Sequence, residues 1–171
     1  MSAQKSSNPI LRFALKFILL LVLFGLFFGY FRTAFPHIIT LFTSLTASMA
    51  KLLLKAVGLH PDQSANVLNL GGFSVQVVLE CAGVYQLLVF SAAVIAFPAD
   101  KKKKLWGILA AIPIFYVVDL VRIATLLTVG HFKPRLFDFV HLYTGQIFVI
   151  FIVILTWLLW IKKFAHAGKT A

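Results

Sequence analysis

Phe97-Pro98-Ala99-Asp100-Lys101-Lys102-Lys103-Lys104-Leu105 separates two long apolar runs, and its reading decides how the whole chain is threaded. Four consecutive lysines between apolar segments mark a loop held on the cytoplasmic side of a membrane. The run before it, Leu79 to Phe97, then travels from outside to inside, and the run after it, Leu105 to about Val129, travels back out. A last apolar segment, 143–161, returns inside and is closed by Lys162-Lys163 at the head of the 162–171 tail. Toward the amino end, the 1–9 segment is polar and expected to be disordered and cytoplasmic, and 10–31 is expected to be a first, uncleaved membrane helix, because no small-x-small cleavage site follows it.

Composition agrees with that threading. The chain has 171 residues, 61% of them hydrophobic, and a mean hydropathy of +0.97, so its apolar surface is too large for a water-soluble core. We therefore expect one membrane domain, an all-α integral membrane protein with four or five transmembrane helices, and no separate soluble domain. The formal charge of +11 sits mainly at the ends of apolar runs, which reads as topology and gives no reason to expect nucleic acid. A single cysteine, Cys81, excludes an internal disulfide and any chemistry that needs a redox-active thiol pair.

Two segments on the outer side complete the expected architecture. Over 36–59, Leu41, Leu45, Met49, Leu52, Leu53 and Ala56 recur at helical spacing, with Thr40, Ser44, Ser48, Lys51 and Lys55 on the other face. This predicts an amphipathic helix resting on the outer leaflet, the alternative being a tilted span. Over 66–78, period-two alternation on either side of Gly71-Gly72 predicts a small β-hairpin covering the outer face, with an edge on which an extended peptide can add as a strand. The 98–104 loop is cytoplasmic and the 130–142 segment is an outer loop.

Three residues with chemical potential fall into one layer under this threading. Cys81 stands at the outer start of its run, His141 just before the last one, and Arg122 lies seventeen residues past Leu105, roughly 25 Å along a helix and near the far edge of a ~30 Å hydrocarbon layer. A thiol, an imidazole and a fixed cation are the nucleophile, proton acceptor and anion stabiliser of thiol-based acyl transfer. Each also has a plain reading: a lone cysteine is most often a small buried hydrophobe, Arg122 pairs with Asp119 one turn earlier as an intramembrane ion pair, and His141 is an interfacial histidine. Asp138, three residues before His141, is placed to orient the imidazole if that stretch is helical. His131, Asp138 and His141 do not have a recognised zinc spacing, so no metal and no cofactor is expected. Lys133 and Arg135 run against the charge bias and read as a solvated loop or a contact to headgroups.

From roughly Thr46 to Phe164 the chain resembles the exosortase/archaeosortase family of membrane-embedded sorting enzymes. The resemblance is carried by Cys81-Ala82-Gly83, by Asp119-Leu-Val-Arg122, and by His141 followed four residues later by Gly145. The small size is similar to the short form called exosortase H. Asp119 replaces a frequent asparagine, and Leu142 replaces an aspartate often found after the histidine. The resemblance implies a cysteine protease or transpeptidase of the bacterial cytoplasmic membrane with its site facing outside. Its partners would be membrane lipids and secreted proteins whose carboxyl end carries a short motif, a transmembrane helix and a basic tail. Cys81, Arg122 and His141 would be catalytic, with Asp119, Asp138, Glu80, Gly83 and Gly145 in support. The rival class is a noncatalytic assembly factor or small transporter subunit in which Asp119 and Arg122 are a structural pair.

Overall fold

A computed structural model describes residues 8–165, so most of the 1–9 segment and the end of the 162–171 tail lie outside the described residues. Among the described residues, four helical stretches are long and apolar enough to cross a membrane: α1 (Pro9–Ala34), α2 (Pro36–Ala56), α4 (Lys101–Phe132) and a continuous run over Pro134–Lys163. Prolines stand at the first positions of α1 and α2, where a missing N–H costs nothing, and Phe35 alone separates the two helices. The protein is an all-α membrane protein with a small antiparallel sheet.

The 79–97 run is not one helix. Leu79–Cys81 forms a 3₁₀ turn, Gly83 takes a left-handed conformation with φ of 76°, and α3 begins only at Val84, ending at Ala96. At thirteen residues α3 is about 20 Å long, short of a hydrocarbon layer. Glycine is the residue that adopts this backbone without strain, and a Cβ there would also lie 3.2 Å from the Phe115 backbone. The turn therefore holds Cys81 ahead of α3 instead of on it.

The 32-residue α4, by contrast, is about 48 Å long and outruns the bilayer. Its carboxyl-terminal turns support the sheet, which has three strands in the order β1 (Asp62–Ser64), β2 (Val67–Leu70), β3 (Phe73–Gln76). Gly71 and Gly72 both have positive φ, as the two-residue hairpin turn requires. The β1 strand is an addition to the expected hairpin, pairing Asp62 with Asn69 and Ser64 with Val67. Phe73 packs onto Gly130 of α4, where any Cβ would collide with the ring.

The α2 helix lies beside this same half of α4. Its leucine stripe faces outward: Leu41, Leu45, Met49, Leu52 and Leu53 are exposed, and Thr43, Thr46, Ala47, Ala50 and Leu54 are buried. Small residues bring the helices close, and the large apolar ones are left for lipid. Ala47, Ala50 and Leu54 join Leu68, Val77, Cys81, Ile123 and Leu127 in one core. Ser44 and Ser48 bind the sheet through the Ala65 carbonyl and Gln63. A second core near the lysine loop joins Phe90, Phe115 and Trp160, whose indole N–H donates to the Lys103 carbonyl at 3.2 Å.

The 130–142 segment, expected as a loop, is largely helical. After Lys133 the chain makes a 3₁₀ turn (Pro134–Leu136), a short α5 (Phe137–Phe139), a π-helical turn (Val140–Thr144) and then α6 (Gly145–Trp160).

Candidate functional site

Cys81, Arg122 and His141 come from three separate elements and meet at the end of the bundle away from the lysine loop. Cys81 is held by the 3₁₀ turn, whose backbone bond from Cys81 N–H to the Val78 carbonyl measures 2.9 Å. Arg122 projects from α4 and divides its guanidinium between two neighbours: Nη1 donates to Asp119 Oδ1 at 3.2 Å, and Nη2 approaches Cys81 Sγ at 3.9 Å. The Asp119 side chain is 1% exposed and that of Arg122 15%, so the pair is desolvated and directional.

Cys81 stands in the turn ahead of α3, outside the helices that can cross a membrane, and burial pushes its thiol above the ordinary range while the Arg122 guanidinium pulls it back. Burial outweighs the cation, so the thiol is the resting form. His141 lines a cavity of about 220 Å³ together with Cys81, Gln76, Val78, Ile123 and Phe137. Its ring stacks on Phe137 at 5.6 Å, nearly parallel, and its buried Nδ1 has no hydrogen-bond partner.

His141 also borders a larger, mainly apolar cavity of about 530 Å³ with Glu80, Gln86, Arg122 and Val149. This space continues down between α3 and α6 as far as Ile154. His141 thus lines both cavities, with Arg122 in the larger and Cys81 in the smaller. The π turn that carries His141 is a rare backbone form that recurs at functional sites, because its extra residue re-aims a side chain without ending the helix.

The two glycines of the motifs make room for the polar groups. A Cβ on Gly83 would come within 3.3 Å of Asp119 Oδ2, and one on Gly145 would lie 3.0 Å from the Val140 carbonyl and 3.6 Å from Arg122 Nε. Asp138 is exposed, and the buried Nδ1 of His141 accepts or donates no hydrogen bond among the described residues. Glu80 faces outward and pairs with Arg32 at the end of α1 at 3.1 Å. Lys133 and Arg135 are exposed, and among the described residues no group of three or more His, Cys, Asp or Glu side chains could hold a metal.

Sequence reasoning missed Phe137, although its i, i+4 spacing to His141 was a usable signal. It also missed Gln86, buried at the head of the larger cavity with its Oε1 unpartnered, and the Arg32 contact to Glu80. Nothing local announces either.

Comparison with curated proteins and with solved structures gave no match. Comparison with family models matched the transmembrane exosortase model (Exosortase_EpsH) over residues 9–160, nearly the whole chain, Cys81, Arg122 and His141 included. A match of that extent means that this chain belongs to the transmembrane exosortase family, a family of membrane proteins with a role in sorting.

Proposed function

We propose that the protein is a membrane-embedded cysteine protease or transpeptidase that cleaves the carboxyl-terminal sorting signal of secreted proteins at the outer face of the bacterial cytoplasmic membrane. The observation that carries this reading is the approach of Arg122 Nη2 to Cys81 Sγ, with His141 on the same cavity wall as the sulfur. A purely structural Asp119–Arg122 pair accounts for one guanidinium nitrogen and leaves the other aimed at sulfur without a reason.

In the proposed reaction His141 accepts the Cys81 proton and the thiolate attacks the scissile carbonyl carbon. Arg122 donates to the oxyanion of the tetrahedral intermediate, and Asp119 keeps its guanidinium fork in place. The C–N bond then breaks, His141 returns its proton to the departing amine, and a thioester to Cys81 remains. An amine acceptor completes transpeptidation; water completes hydrolysis. The substrate's transmembrane helix, with its basic tail held inside, would lie along the apolar cavity between α3 and α6, which opens from Arg122 and His141.

Coexpression with a tailed secreted protein tests the reading. Wild type is expected to shorten the substrate, and Cys81→Ala, Arg122→Ala and His141→Ala are expected to leave it intact. Normal processing by Cys81→Ala would mean that the chain is a noncatalytic assembly factor or transporter subunit.

A further inference from the structure

The Cys81 cavity has a wall that the proposed chemistry does not use. Five consecutive residues, Ser74 to Val78, line it, and they belong to β3 and the chain that leads directly into the Cys81 turn. In the order β1-β2-β3, β3 is an edge strand.

The register says which backbone groups lie on the open side. The two-residue turn makes Leu70 and Phe73 the hydrogen-bonded pair, so bonded pairs recur at Leu68 with Val75 and at Asn66 with Val77. The last of these is present as Val77 N–H donating to the Asn66 carbonyl at 2.8 Å, and the Asn66 side chain donates to the Val77 carbonyl at 2.9 Å. Ser74 and Gln76 therefore turn both N–H and C=O away from β2, and Val78 turns its N–H away while its carbonyl accepts from Cys81 N–H. These free groups alternate at strand spacing along one cavity wall, and the row ends at the sulfur.

We propose that the free edge of β3 binds the substrate residues just ahead of the scissile bond as a short added strand, parallel to β3. This inference rests on the proposed function and adds to it the seat and direction of the recognition segment. Direction follows from chain geometry. A substrate that reaches Cys81 and then continues as a helix into the membrane must run toward Cys81, as β3 itself does, and that is parallel pairing. Length follows from Phe137, whose ring packs edge-on against Phe73 with centroids 5.0 Å apart and closes the far end. The added strand is thus two or three residues long. Backbone pairing supplies the hold, and a substrate side chain on the inner face meets Ile123 and Leu126, which favours an apolar residue at one position only.

The test is a backbone N-methyl scan of the residues ahead of the scissile bond, in a synthetic tailed peptide cleaved by the wild-type enzyme in detergent. Methylating an N–H that points to β3 is expected to lower kcat/KM at least tenfold, methylating the next one at most twofold, so the response alternates with period two. A flat response overturns the proposal while leaving the enzyme reading intact. No cleavage of the unmethylated peptide removes both. On the enzyme side, Gln76→Pro deletes one outward N–H and no bond of the sheet. It is expected to raise KM at least tenfold while the alkylation rate of Cys81 by a small thiol reagent stays within twofold. Wild-type cleavage by Gln76→Pro would overturn the added strand.

Discussion

Arg122 reaches the sulfur of Cys81 at 3.9 Å across 41 residues of sequence, with the same guanidinium that grips Asp119 at 3.2 Å. The planar fork makes both contacts possible, because its two Nη atoms point to different neighbours while the whole carries one charge. Lysine offers a single point charge on a flexible stem. Arg122→Lys is therefore expected to lower processing by roughly 10²- to 10³-fold, the scale for losing an oxyanion donor, with the protein still inserted. Quantifying cleaved against full-length substrate checks this.

Asp119 and Arg122 should be inseparable in folding and separable in chemistry. Replacing Asp119 alone by leucine strands a buried cation, at a cost of about 3–5 kcal/mol, and should deplete the protein from the membrane. Replacing both by leucine removes the charge problem and should restore abundance without restoring processing. Abundance of the two variants, read by immunoblot, decides the matter; a double variant as scarce as the single one would show that the pair shapes the fold.

The glycines predict a graded series. Gly83→Ala forces a left-handed φ of 76° on a residue with a Cβ and crowds the Phe115 backbone at 3.2 Å, so it should lose roughly 1–2 kcal/mol or more of stability. Gly145→Ala presses on the Val140 carbonyl and Arg122 Nε and should reduce processing more than it lowers the melting temperature. Gly25→Ala, with nothing within 4 Å, should change neither. Thermal unfolding in detergent alongside processing separates the three.

Burial holds the Cys81 thiol above its ordinary range, and Arg122 opposes that shift. Alkylation by a small reagent should therefore need higher pH than a free thiol needs. Since the guanidinium favours the thiolate, Arg122→Gln should move the alkylation profile to still higher pH. A profile that does not move would disconnect the cation from the sulfur.

Because Cys81 is only 9% exposed, it is a slow reporter of sidedness. Single cysteines at exposed Asp62 on β1 and exposed Lys102 in the first turn of α4, in a Cys81→Ala background, are better placed. An impermeant maleimide added to intact cells should label the first and spare the second. The reverse pattern would invert the proposed orientation.

Charge counting was enough to bring Cys81, Arg122 and His141 into one layer, since the lysine loop leaves few ways to thread so apolar a chain. Finer features depended on contacts far apart in sequence. The stripe of Leu41, Leu45 and Leu52 is visible on α2 in the sequence, but only packing shows that the leucines stay exposed while Ala47 and Ala50 enter the core beside α4. The polar Asp62–Ser64 strand has no alternation of its own and exists because β2 offers it a partner. The late start of α3 hinges on the φ of Gly83, which α4 sets through Phe115 and Asp119. Asp138 had the right spacing to serve His141 and is exposed, while His141 Nδ1 is buried, a distinction spacing alone does not contain.

Lys104 and Arg122 stand on one helix, α4, eighteen residues and about 27 Å apart along it with Pro113 between them, so on this helix the depth of the site is tied to the lysine end. On the proposed function this makes the enzyme a ruler. A substrate whose helix has about 18 residues between the scissile bond and its basic tail is in register at both ends at once. Removing one helical turn would draw the peptide about 5 Å below Cys81, and adding one would lift it past, so tail length would select substrates before any side chain is read.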